Sequence, residues 1–147
     1  MNHIILARGH ATCKVFDAAN GAELFNCEAR NDTTGTQLYG FDYYGHFGGC
    51  PLGDYELGPA DDNHGPDRCD ELDSEGPYFI ELNDVNGLWI ANDRGDIGIH
   101  GGGSGLQHPL ADRQGWVVTH GCWRLQNMDL LTFVGLTHSG DRVTVLA

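Results

Sequence analysis

The stretch TCKVFDAANGAELFNCEA, residues 12–29, alternates apolar and polar side chains on both sides of Asn20-Gly21. A period of two puts successive side chains on opposite faces of an extended chain, and Asn-Gly suits the positive φ angles of a tight hairpin turn. Residues 11–29 therefore predict a β-hairpin. Outward from it, PLGDYEL (51–57) opens another strand. YFIEL (78–82), GLWIA (87–91), DIGIH (96–100) and WVVT (116–119) are short β-branched or aromatic runs separated by Asn, Asp and Gly, which read as strands and turns. GDRVTVLA closes the chain with an alternating strand. Residues 31–49 read as a long loop with one strand near 37–41. Residues 58–76, rich in Asp, Glu, Pro and Gly, read as an exposed acidic loop. Only Asn127 to Leu136 reads as helix, with Asn127 as cap, Asp129 in the first turn, and Met128, Leu131 and Val134 at helical spacing.

A chain of 147 residues with 40% hydrophobic residues and 22 glycines has apolar material for one core and many turns. The expectation is one mostly-β domain spanning 1–147, without internal repeats. Eight basic residues against twenty-one acidic ones leave a formal charge of −13, the wrong sign for gripping nucleic acid or anionic lipid. The N-terminus offers only the three-residue apolar run Ile4 to Leu6, so neither a signal-peptide core nor a membrane span is expected. That leaves a cytoplasmic protein, export by another route, or a chain without its leader.

Five cysteines, at 13, 27, 50, 69 and 122, are an odd number, and Cys122 is the candidate for the thiol left over. Cys13, Cys27, Cys50 and Cys69 allow three disulfide connectivities, or none. Cys122 sits in THGCWRL, 119–125. A reactive thiol needs a base, and two histidines qualify. His100 ends DIGIH just before GGGSG, and His120 shares a face with Cys122 on an extended backbone. Gly121 allows a sharp turn into the cysteine, and the N-terminus of the following helix offers N–H groups for an oxyanion. A buried structural thiol is the plainer alternative. A zinc site is a poorer one, because no C-x-x-C or H-x-x-x-H spacing occurs; neither metal nor cofactor is expected. The tryptophans at 89, 116 and 123 would line a groove or fill the core.

IHGG at 99–102 followed by THGCWRLQNMD at 119–129 resembles the signature of L,D-transpeptidases of the YkuD type, and CPLGDYEL (50–57) and the terminal GDRVTVL resemble further strands of that family. The resemblance implies a β-sandwich or barrel with one short helix after the catalytic cysteine. It implies a cysteine acyltransferase or hydrolase acting on peptidoglycan stem peptides through a thioester on Cys122. His100 would be the general base, His120 would orient the thiol, and backbone N–H groups around Gly121 and Cys122 would hold the oxyanion. Arg124, Gly101, Gly102, Thr119 and Trp123 would lie on the substrate side, Arg124 either meeting a substrate carboxylate or bracing the catalytic loop. Carbapenem-type compounds become candidate acylating inhibitors, and the cell wall or periplasm the implied location. Trp123 departs from the small aliphatic residue usual after the cysteine, and the stretch from His100 to Thr119 is long and glycine-rich, which bears on the acceptor side. Other outcomes of the same scaffold are a lytic or toxic enzyme of a phage or secretion system, and a binding module without catalysis.

Overall fold

A computed structural model describes residues 1–31, 49–63, 67, 74–87, 89, 95–103, 113–116, 119 and 121–147. In chain order its strands are β1 (Asn2–Ala7), β2 (Thr12–Asp17), β3 (Glu23–Arg30), β4 (Gly53–Asp62), β5 (Tyr78–Asp84), β6 (Gly98–His100), β7 (Trp123–Leu125) and β8 (Arg142–Leu146); helix α1 (Asn127–Leu136) joins β7 to β8. The strands close into a barrel in the order β1-β2-β3-β7-β6-β5-β4-β8. Only β1 with β8 and β6 with β7 pair in parallel; the other neighbours are antiparallel. The mostly-β barrel with a helix after the Cys122 motif is the fold class that the sequence implied.

β2 and β3 form the hairpin read from residues 11–29, with Cys13 opposite Cys27. Its turn is held by N–H donation from Gly21 to the Asp17 carbonyl (2.7 Å) and from Asp17 to that of Ala22 (2.8 Å). Gly21 has φ +72° and nothing within 4 Å of where a Cβ would stand, so Gly21→Ala meets only the left-handed backbone penalty. We expect a loss of about 1 kcal/mol in urea unfolding with an unchanged m-value.

Period-two alternation delivers one face of each strand to the interior. Ile4 and Leu6, Cys13 and Val15, Tyr55 and Leu57, Ile80 and Leu82, Ile99, Trp123 and Leu125, and Val143 and Val145 are all buried there, with Leu130 and Phe133 of α1 capping the cluster.

Several expectations shift. β1, unannounced by the sequence, is the strand that closes the barrel onto β8. β4 runs on through Gly58–Asp62 into the stretch read as an acidic loop: Ala60, Asp61 and Asp62 pair with Ile80, Phe79 and Tyr78 after a register shift beyond Leu57. Ladder bonds use only the backbone, and the side chains of 59–62 stay in water. Of GLWIA, Gly87 lies in a bend and Trp89 is helical. Of WVVT, Trp116 is outside any strand and Thr119 forms an isolated bridge. Residues 117–118 of that stretch lie outside the described residues, and β7 follows the cysteine. The strand expected near 37–41 lies outside the described residues. On α1 the buried positions are Asn127, Leu130 and Phe133, whereas Met128 and Leu131 are exposed, so the inner face is rotated from the one expected.

Candidate active site

β6 and β7 lie side by side in parallel, Ile99 opposite Trp123 and His100 opposite Arg124. Ile99, Trp123 and Leu125 face the core. Alternation therefore turns Gly98 and His100 of β6, and Arg124 with the preceding Cys122, to the other face of the sheet. The Cys122 sulfur accepts the Gly98 N–H at 3.4 Å and its S–H lies 3.6 Å from the Asp96 carbonyl. Asp96 presents that carbonyl from a left-handed conformation, φ +53°. Gly98 permits the close fit, because a Cβ there would stand 2.6 Å from the Ile80 carbonyl oxygen.

His100 is buried, stacks on Phe79 with centroids 5.8 Å apart, and places Nδ1 2.9 Å from the Gly101 carbonyl. A carbonyl only accepts, so Nδ1 carries the hydrogen and Nε2 holds the lone pair. Burial, then the nearby Arg124 charge, pull the imidazole pKa down to about 4, against the Gly101 bond that favours the cation. Burial pushes the Cys122 thiol up to about 11, opposed chiefly by the Gly98 N–H. The resting pair is thus a neutral thiol and a neutral imidazole on one face. It is not an ion pair, and the two side chains are not hydrogen-bonded to each other.

That state has a measurable consequence. With the thiol at about 11, roughly one molecule in 10⁴ carries the thiolate at pH 7, and the fraction grows about tenfold per pH unit. Iodoacetamide labelling of Cys122, followed by mass spectrometry, should therefore steepen through pH 7–10 with no plateau. A plateau beginning near pH 6 would mean a thiolate–imidazolium pair instead.

Arg124 is buried, and its Nη1 donates to the Gly101 carbonyl at 2.6 Å and to that of Ser74 at 3.0 Å. The guanidinium lies against Gly103, where φ is +75° and a Cβ would come within 2.6 Å of Nη1. The Gly101 N–H donates to the Glu75 carbonyl (2.6 Å) and the Gly102 N–H to Asn127 Oδ1 (2.7 Å). Arg124, Gly101 and Gly102 thus spend these polar groups on one another and on neighbouring chain, bracing the His100 strand end. Thr119 donates its hydroxyl to the Cys122 carbonyl at 2.7 Å, and Trp123 is wholly inside the core, so neither of these side chains offers a substrate surface. Gly121 is buried with φ +115°. His120 lies outside the described residues.

The L,D-transpeptidase catalytic domain family, YkuD, has a model that matches residues 26–145. The chain belongs to this family. No curated protein matches it by sequence. Among solved structures it is similar to Bd1075 of Bdellovibrio bacteriovorus (TM-score 0.69, 14% identity, covering 99% of this chain and 47% of that one). It is also similar to an L,D-transpeptidase of Stackebrandtia nassauensis (0.58, 17%, 99% and 55%) and to the helical cell shape determining protein Pgp2 of Campylobacter jejuni (0.64, 18%, 98% and 46%). At these identities the likeness is one of fold, and the chain spans about half the length of these proteins.

Within this YkuD domain, the start of α1 differs from expectation. Gln126 occupies the cap position, Asn127 is the first helical residue, and the Asn127 N–H is taken by Gln114 Oε1 at 2.8 Å. That N–H is thus occupied and cannot serve an oxyanion. Cys13, Cys27, Cys50 and Cys122 are thiols, and Cys69 lies outside the described residues. Trp89 packs partly on the core, 6.2 Å from the Tyr55 ring, and Trp116 carries the Arg30 guanidinium at 4.6 Å. Sequence reasoning missed Asn31, a buried amide that donates to the Gly121 and Cys122 carbonyls from some 90 residues away. It also missed the roles of Asp96, the first residue of DIGIH, and of Gln114, just before WVVT. No helix among the described residues is long and apolar enough to cross a membrane.

Proposed function

We propose that this chain is a cysteine acyltransferase of the L,D-transpeptidase type, acting on peptidoglycan stem peptides in the cell wall or periplasm. The observation that carries the reading is Cys122, held on the same outer face of the β6–β7 pair as a histidine whose tautomer the Gly101 carbonyl fixes. Neutral His100, with its lone pair on Nε2, is the proton acceptor. Its low proton affinity makes it a weak base at rest, so proton transfer accompanies attack rather than preceding it.

Cys122 Sγ attacks the carbonyl carbon of the diacidic third stem residue, and the S–H proton passes to His100. The π electrons move onto oxygen, where the backbone N–H groups of the Gly121–Cys122 turn receive them. As the intermediate collapses, the C–N bond breaks, and the terminal D-amino acid leaves with the proton returned by His100. A thioester remains. An amine of a neighbouring stem converts it to a cross-link, a free D-amino acid gives exchange, and water gives carboxypeptidase activity. Arg124 acts in this scheme by bracing the loop, His120 keeps the thiol-orienting role that the resemblance implies, and a carbapenem would acylate the same sulfur.

The test is intact-protein and peptide mass spectrometry after incubation with a tetrapeptide muropeptide, quenched in acid, with chromatography of the products. A thioester on Cys122 with loss of the terminal D-residue is expected, and the product identifies the acceptor. Muropeptide binding with neither adduct nor product would replace the enzyme by a binding module, and soluble fragments released from sacculi would indicate a lytic enzyme.

A further inference from the structure

Asn31 directly follows β3, and its amide is buried beneath the turn that carries Cys122. Nδ2 donates to the Gly121 carbonyl at 2.7 Å and to the Cys122 carbonyl at 3.0 Å. Oδ1 accepts from the Cys50 N–H (2.9 Å), from Arg8 Nη2 (2.9 Å) and from Arg8 Nε (3.2 Å). The chemistry fixes which end of the amide is which, since the two carbonyls can only accept and the three N–H groups can only donate. Arg8 is itself tied down, its Nη2 donating to the Cys50 carbonyl and its backbone N–H to that of Leu146. Gly49 leaves the room these groups need, as a Cβ there would come within 2.8 Å of Arg8 Nη2 and 2.9 Å of Asn31 Oδ1.

A trans peptide is planar, so its carbonyl and the following N–H point in opposite directions. Holding the Gly121 carbonyl on Asn31 therefore points the Cys122 N–H away from Asn31, in the opposite direction within that plane. Holding the Cys122 carbonyl, gripped by both Asn31 and the Thr119 hydroxyl, stops the next peptide from rotating. The +115° φ at Gly121 makes this orientation accessible. We propose that Asn31, polarised by Arg8, is a positioning residue that aims the Cys122 N–H at the oxyanion formed during acyl transfer. This rests on the reading of Cys122 as the acyl-transfer nucleophile. Arg8, in the turn that directly follows β1, lies outside residues 26–145.

The test uses two reactions of the same sulfur. Acylation by a carbapenem opens the lactam C–N bond through a tetrahedral oxyanion. Alkylation by iodoacetamide forms an S–C bond as iodide leaves, and no charge develops on oxygen. Both remove the S–H proton of the same sulfur, so the ratio of their rates offsets changes in thiol acidity. Asn31→Asp keeps the size and the acceptor for Cys50 and Arg8 but cannot donate to the two carbonyls. Mass-spectrometric rates should show the acylation-to-alkylation ratio falling about 100-fold, the scale of losing one oxyanion donor. An unchanged ratio, whether both rates hold or both fall together, would overturn the proposal and leave Asn31 a structural residue. If Asn31→Asp does not fold, Arg8→Gln reads the same role, with about a fivefold fall in the ratio expected and an unchanged ratio again overturning it. A wild-type protein that alkylates but accepts neither carbapenem nor tetrapeptide would remove the nucleophile reading itself, a different failure from an unchanged ratio.

Discussion

Cys122→Ala is expected to lower the turnover of stem peptides by at least about 10⁴-fold and to leave the barrel folded. The first half follows from the chemistry: an alanine methyl forms no thioester, and His100, neutral and held by Gly101, has no geometry from which to replace it as nucleophile. Binding and oxyanion stabilisation survive, so a small residual rate is all that remains. The second half follows from packing. Cys122 is half-buried, and its sulfur accepts one long hydrogen bond from Gly98 and approaches one carbonyl at 3.6 Å. Truncating it costs roughly 1 kcal/mol at most. Product chromatography with a tetrapeptide muropeptide, together with circular dichroism melting, checks both halves. An alanine variant that still released the terminal D-residue would sink the mechanism, and one that failed to melt cooperatively would mean that the thiol is a structural residue.

The parts of this molecule that sequence made legible are the ones written locally. Residues 12–29 carry their own period and their own turn dipeptide, and the hairpin stands where they put it. THGC and the upstream IHGG are short strings, and the parallel pairing of β6 with β7 turns Cys122 and His100 to the same face. β1 was harder to read: NHIILA carries the unbroken apolar run Ile4 to Leu6 rather than a period of two, and it pairs with β2 on one side and, in parallel, with β8 near the other end of the chain on the other. The continuation of β4 through Asp61 and Asp62 was hidden because composition reports side chains while the ladder is made by backbone. Asn31 shows the limit most sharply. An asparagine after a strand suggests a turn, and nothing within ten residues says that its amide grips the carbonyls beside the nucleophile.

Arg124 separates a substrate-binding arginine from a bracing one, and Arg124→Met should come down on the bracing side. The guanidinium is buried and feeds the carbonyls of Ser74 and Gly101, and Gly101 is also the acceptor that fixes His100. Removing it strips a buried donor from both carbonyls, for which we expect a loss of about 2–4 kcal/mol in urea unfolding. Arg124→Lys should fall between, because an ammonium keeps the charge but not the rigid planar group whose Nη1 donates to both carbonyls. The same substitution has a signature in His100. Its folded pKa, about 4, lies below the 6.5 of an unperturbed imidazole, so between those values the unfolded chain binds the proton and the folded one does not. Stability is therefore complete above about pH 6.5 and declines as pH falls towards 4. Arg124 is the second cause of that depression, after burial, so Arg124→Met should move the His100 midpoint upward while burial keeps it below 6.5, and the acid loss of stability, still beginning near pH 6.5, should end at a higher pH and be smaller. NMR titration of the His100 ring reads the midpoint directly. A substrate-binding role would look different, raising KM with stability and the His100 midpoint untouched; that result would release Arg124 from the loop and place it on the peptide.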